Sequence, residues 1–205
     1  MNKSPFFIVD DFLSPLMCED IVARSFFEFP NVENGTVVKS ITQNVLTQNR
    51  VLPLLEDLIE DLEDYYNYEH GGILPFNIEY YPEKCKQEGL RAENSFLKDN
   101  KWMRSNDHDF TGIIFLKTES SDRNFDESFE IYGSKLEFPN HQFGFVPSRG
   151  RLVVFPSAPN FTNVTISPKI GDLYQIRFQL VGMKPYNYDM NEFPGNYKTW
   201  FKNNS

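Results

Sequence analysis

The residues of this chain that could do chemistry are few and scattered. Asp107-His108-Asp109 places an imidazole between two carboxylates on consecutive positions. Such a set could hold a cation as a local cluster, although acidic residues grouped this way more commonly serve turns. The other histidines are isolated. His70 stands beside Gly71 at the end of a helical pattern, where a cap or surface role outweighs ligation. His141, in Pro139-Asn140-His141-Gln142, reads as a turn residue between strands. Ser105 and Ser157 lack the G-x-S-x-G elbow and a histidine partner, which argues against hydrolase chemistry. No glycine-rich phosphate loop is present. Cys18 and Cys85 form no CxxC pair and have no histidine nearby at metal spacing, so a reduced pair in a cytosolic setting is the expectation.

Composition narrows the field further. A chain of 205 residues and 24.0 kDa is expected to fold as one domain with a proper core. Its 20 Phe and 10 Tyr favour strands, and its 13 Pro and 11 Gly favour many turns. A net charge of −9 and a pI near 4.9 argue against nucleic-acid binding, which needs clustered Lys and Arg. Lys98, Lys101 and Arg104 are too few to reverse that balance. Phe6-Phe7-Ile8-Val9 is too short for a signal-peptide core and is ended by Asp10 and Asp11. No apolar run approaches membrane-spanning length. Asn34, Asn160 and Asn163 match the glycosylation pattern, but that mark requires secretion.

The elements follow from periodicity and punctuation. Phe6–Val9 reads as a short strand. Ser14-Pro15 reads as an N-cap with proline at the first helical position, opening a helix to about Phe27 with Leu16, Ile21, Val22 and Phe26 available for its inner face. Gly35 to Asn49 is mixed, an extended segment plus a loop. Val51 to about Tyr66 gives the clearest helix. Its apolar stripe is Val51, Leu54, Leu55, Leu58, Ile59, Leu62 and Tyr66, and its acidic face reads as solvated. Gly71-Gly72 is expected to break it. Phe76–Tyr81 alternates as a strand that Pro82 ends. Residues 82–100 read as loop, Phe110–Leu116 as a buried strand, and Lys117–Glu130 as an exposed insertion. Gly133–Phe138, a Pro147-x-x-Gly150 turn, the apolar run to Ser157, and Gly171–Phe178 complete a succession of strands. The tail from Met183 to Ser205 carries Tyr186, Tyr188, Phe193, Tyr197, Trp200 and Phe201 without a period. It reads as an aromatic arm that packs on the body or on a neighbour.

This order of strand, turn, apolar strand, loop and final strand resembles the C-terminal half of the double-stranded β-helix in Fe(II)/2-oxoglutarate dioxygenases of the prolyl 4-hydroxylase type. Asp10-Asp11-Phe12-Leu13-Ser14 resembles the entry to that domain. The stretches Gly71–Tyr81, Asp109–Leu116, Tyr132–Pro139 and Arg149–Ser157 look like the version encoded by T4-like marine phages. The resemblance implies an α+β fold, a jelly-roll, cupin-like double-stranded β-helix barrel flanked by two principal helices. The family holds Fe(II) with a His-x-Asp pair and a distal His, and binds the cosubstrate's far carboxylate with an Arg or Lys on the last strand. Counting from Trp102 puts Ser105-Asn106-Asp107 where His-x-Asp would stand. Counting back from Gly171 puts Asn163 at the distal His. The cation would fall at Asp172 or Leu173, and Arg177 lies four or five residues further along the same strand.

The expectation is therefore a catalytically degenerate dioxygenase-like domain. It would have no catalytic, cofactor-binding or metal residues and no cofactor, and would act as a structural or protein-binding module, in a phage virion or the host cytoplasm. Its partners would be protein, other copies or virion components, with neither nucleic acid nor membrane. Residues 1–182 would form the domain and 183–205 the arm. The alternative is an active Fe(II)/2-oxoglutarate-dependent hydroxylase with shifted ligands, which would need Asp107 and His108, and His141 besides, to converge. A third reading is a jelly roll that binds a sugar or another small ligand.

Overall fold

The computed structural model describes residues 4–28, 38–41, 45–99 and 101–186. In chain order the elements are β1 (Phe7–Val9), α1 (Pro15–Glu28), β2 (Val38–Ile41), α2 (Val45–Glu56), α3 (Ile59–Tyr66), β3 (His70–Ile73), β4 (Asn77–Tyr81), β5 (Ser95–Lys98) and β6 (Lys101–Arg104). Then come β7 (Phe110–Phe115), β8 (Thr118–Glu119), β9 (Glu130–Ile131), β10 (Lys135–Phe138), β11 (Phe143–Phe145), β12 (Leu152–Pro156), β13 (Val164–Ile166) and β14 (Leu173–Gly182). Among the described residues the fold is mostly β with three α-helices. Its large sheet runs β1-β12-β7-β14-β4-β2, with β3 added to the far end of β14, and a small sheet runs β11-β10-β13. Every pairing in these two sheets is antiparallel.

Alternation along the central strands gives the large sheet two buried faces. Phe110, Ile114 and Leu116 join Tyr174, Ile176, Phe178 and Leu180 under the helices, against Cys18, Ile21, Val51, Leu55, Leu62 and Tyr66. Ile113, Phe115, Val153 and Phe155 take the other phase and meet Leu136, Phe138 and Phe145 of the small sheet. Phe6 sits amid this second cluster, with the rings of Phe138, Phe145 and Phe161 centred 4.8, 5.1 and 5.8 Å away. Aromatic packing of this kind supplies much of a core's burial energy.

Several expectations are met locally. Ser14 caps α1 through its hydroxyl, which accepts from the Met17 amide at 3.3 Å. Gly150 turns with φ +83°, and a Cβ there would lie 2.2 Å from the Leu13 carbonyl oxygen, so the turn after Pro147 requires glycine.

Others need correction. Leu16 is 76% exposed, and α1 buries Cys18, Ile21 and Ser25 instead. The helix expected over Val51–Tyr66 is two helices, because Leu58 donates to the Leu55 carbonyl and tightens the chain by one turn. The apolar stripe hides this break, since Val51, Leu55, Leu62 and Tyr66 stay buried across it. Asn67, not Gly71, ends α3 in the left-handed region. Gly71 and His70 belong to β3, where a Cβ on Gly71 would lie 3.1 Å from the Gly182 backbone. The loop read over 82–100 contains β5, which forms a hairpin with β6. Lys117 is buried rather than part of an exposed insertion. Of the aromatic tail, Tyr186 packs on Phe110 with ring centroids 4.7 Å apart, and the residues from 187 onward lie outside the described residues.

Candidate functional site: a buried charge ring

The inner phase of β4 and β14 is polar where that of β7 and β12 is apolar. Glu79 on β4 lies opposite Gln175 on β14, and Arg177 follows two residues along the same face. Arg177 Nε donates to Glu79 at 3.0 Å, and its Nη1 donates to Glu93 at 2.7 Å. Arg91 stands on the far side of both carboxylates, 3.4 Å from each. Two cations and two carboxylates thus alternate in a closed ring. The side chains of Glu79, Arg177 and Glu93 keep 1%, 3% and 7% of their exposure. At that burial no member can be left unpaired without a large desolvation cost.

The loop that carries Arg91 and Glu93 is held in place by backbone pairing. The Arg91 amide donates to the Asn163 carbonyl at 3.0 Å, and the Asn163 amide returns the bond at 2.9 Å. Asn163 also donates its side-chain amide to Glu93 at 3.0 Å. Gln175 donates to Glu79 at 2.6 Å, and the Tyr81 hydroxyl donates to the same carboxylate at 3.2 Å. Burial, reinforced by Glu79, drives the Tyr81 phenol far above its ordinary value, so it remains a neutral donor. Burial alone would weaken the charge on Arg91, but Glu79 and Glu93 outweigh it and drive its pKa upward.

The positions reached by counting along the chain do not converge. Ser105 and Asp107 are both exposed, on the loop before β7. His108, the next residue, is 6% exposed and turns inward. Asn163 is fully buried in the ring's shell. Arg177, set aside by the spacing, is the cation that reaches the interior. Four buried polar atoms here have no hydrogen-bond partner among the described residues: His108 Nε2, Asn163 Oδ1, Gln175 Oε1 and Arg177 Nη2. Among the described residues no three His, Cys, Asp or Glu side chains form a group that could hold a metal ion. His70 is half-buried beside Tyr68, and His141 is buried and stacked on Phe161 at 4.5 Å, away from the ring.

Sequence reasoning passed over Glu79, Arg91, Glu93 and Gln175. The available signal was Glu79 itself, a charge at the centre of the strand Phe76–Tyr81. No such signal reported Glu93 or Arg91, which lie on a loop.

No family model matches the chain, and no curated protein sequence matches it. Solved structures do. A viral collagen prolyl hydroxylase from Paramecium Bursaria Chlorella virus-1, in complex with 2OG, superposes with a TM-score of 0.62 at 12% identity, covering 86% of this chain and 96% of that one. A Pseudomonas putida prolyl-4-hydroxylase gives 0.60 at 12% identity, covering 87% and 93%. A Trichoplax adhaerens prolyl hydroxylase in complex with a hypoxia inducible factor peptide gives 0.59 at 14%, covering 88% and 84%. The chain shares the fold of the prolyl hydroxylases across most of its length.

Two outcomes test the ring. Glu79→Leu and Arg177→Met should each cost about 3–5 kcal/mol, because each strands a buried charge. The double variant should cost clearly less than the sum in urea unfolding. The second outcome concerns His108, whose imidazole is held below its ordinary 6.5, chiefly by burial. The unfolded chain therefore takes up this proton at a higher pH than the folded one does, so stability falls as pH drops below about 6.5. Between about pH 7.5 and 5 the natural chain should lose more stability than His108→Phe, measured by urea midpoints at each pH.

Proposed function

We propose that this chain is a non-catalytic relative of the prolyl hydroxylases, a double-stranded β-helix used as a structural or protein-binding module. The carrying observation is that Arg177 already spends two of its donors, Nε and Nη1, on carboxylates of its own chain. In the family resemblance, the cation on the last strand receives the far carboxylate of 2-oxoglutarate. Here Glu79 and Glu93 bond to Arg177 at 3.0 and 2.7 Å. The chain's own carboxylates fill the role of the cosubstrate. The residues do not fit Fe(II) either: Asp107 faces solvent, His108 turns inward, and Asn163 stands at the distal position with a carboxamide. Iron(II) of this class wants two imidazoles and a carboxylate on one side.

The binding surface in this proposal is the β5–β6 hairpin. Phe96, Leu97, Trp102 and Met103 are each 46–55% exposed, a density of large apolar groups unusual for a free surface. Lys98 and Lys101 flank them and are exposed as well. The complementary surface lies on the same chain, where Glu56, Asp57, Glu60, Asp61 and Asp64 are exposed along α2 and α3. A basic, apolar hairpin on one copy meeting an acidic ridge on the next is a heterologous contact, the kind that builds rings and filaments. An assembly component accords with the resemblance to phage-encoded chains, and a virion is the proposed setting.

Two measurements test this reading. Anaerobic titration with Fe(II) and 2-oxoglutarate should give no visible charge-transfer band, and the same mixture exposed to oxygen should release no succinate. A band of one-to-one stoichiometry that disappears in His108→Ala would establish the hydroxylase instead. Light scattering of the full chain should show self-association that Trp102→Ser with Lys101→Glu abolishes. A monomer at all concentrations would refute the assembly role.

A further inference from the structure

On the opposite face of the large sheet from the charge ring lies a cavity of about 570 Å³, bounded by α1, the outer phase of β4 and β14, and the loop before β9. Its walls include Val22, Leu116, Phe129 and Tyr174, with Lys117 and Arg149 among the charged groups. That volume lies within the range of small-molecule sites, which pair an apolar lining with a few placed polar groups.

The charges around it are matched, with one exception. Arg149 pairs with Glu19 at 3.0 Å and lies over the Phe129 ring. Asp172 accepts from the Tyr80 hydroxyl at 3.0 Å and from the Glu83 amide at 2.8 Å. Lys117 is different. It is only 5% exposed, and its ammonium donates to the Glu127 carbonyl at 2.7 Å and stands 5.6 Å from the centre of the Tyr174 ring. No described carboxylate forms an ion pair with it. An ammonium has three donors, and one carbonyl and one ring face leave donor capacity unmet. A buried cation is retained at a cost to stability, which is the usual mark of a group kept for a ligand. Burial does pull the ammonium's pKa down, with Asp172, Glu127 and Asp126 opposing that pull.

We propose that this cavity binds a small, flat, apolar carboxylate, whose anionic end accepts from Lys117 and whose body lies between Tyr174, Phe129 and Leu116. The site is independent of the charge ring, because Tyr174 and Tyr80 take the strand phase opposite to Gln175 and Glu79.

The test uses the full chain with naphthoate and its neutral amide, naphthamide, followed by calorimetry and saturation-transfer NMR. Naphthoate should bind with one-to-one stoichiometry and about tenfold or more tightly than naphthamide, the worth of one charge-assisted hydrogen bond. Lys117→Met keeps the length and packing of the side chain and should erase that preference. Ala23→Phe, which fills the cavity from α1, should abolish binding of both compounds. Equal affinity for the acid and the amide, a preference that survives Lys117→Met, or binding that survives Ala23→Phe would each overturn the proposal. So would the absence of naphthoate binding at millimolar concentration.

Discussion

Four interlocked charges constrain everything around them. Glu79, Arg91, Glu93 and Arg177 alternate in sign, three of them buried and Arg91 partly exposed at the edge, so the geometry of each is constrained by its neighbours. Strands β4 and β14 must pair in the register that brings Glu79 beside Gln175 and Arg177. The loop carrying Arg91 and Glu93 folds back against Asn163, which pairs with the Arg91 backbone and donates its side-chain amide to Glu93. The two bonds from Arg177 thus tie β4, β14 and the 91–93 loop into one unit.

The ring also divides the space between the sheets. On the β1–β12–β7 side, eight buried residues pack as an aromatic and aliphatic cluster around Phe6. On the β14–β4 side, the same space is ionic. An apolar core tolerates repacking, whereas an ionic one tolerates only matched changes. Here that space encloses two carboxylates of the chain itself, Glu79 and Glu93. The outer face of the sheet shows the reverse arrangement. There the apolar residues leave a cavity beside α1, and Lys117 forms no ion pair among the described residues.

Much of the fold was legible from the chain alone. Ser14-Pro15 specified the start of α1, and Gly150 specified a turn that only glycine can make, because local chemistry decides both. The apolar run Phe110–Leu116 and the alternation in Phe76–Tyr81 identified strands. Periodicity could not report that Val51–Tyr66 breaks at Leu58, because the break leaves the apolar stripe in phase. The site was less legible. Counting along the chain located Ser105, Asp107 and Asn163 and set Arg177 aside, since spacing presumes a fixed loop length between landmarks. The loop before β7 is irregular, so His108 turns inward while Asp107 faces solvent.

Composition and local pattern set the inventory: a β-rich chain of one-domain size, acidic overall, with three histidines too dispersed for a recognisable ligand motif. They also set the periodicity that fixes which side of each strand a residue faces, because that alternation is a property of the local backbone. The packing of distant segments brings Glu93, from a loop, and Glu79, from a strand, onto the same guanidinium. They are fourteen residues apart in the chain, and Arg177 is 84 residues beyond the nearer of them. Contacts at that separation depend on sheet register and loop closure together, and neither is written in any single segment.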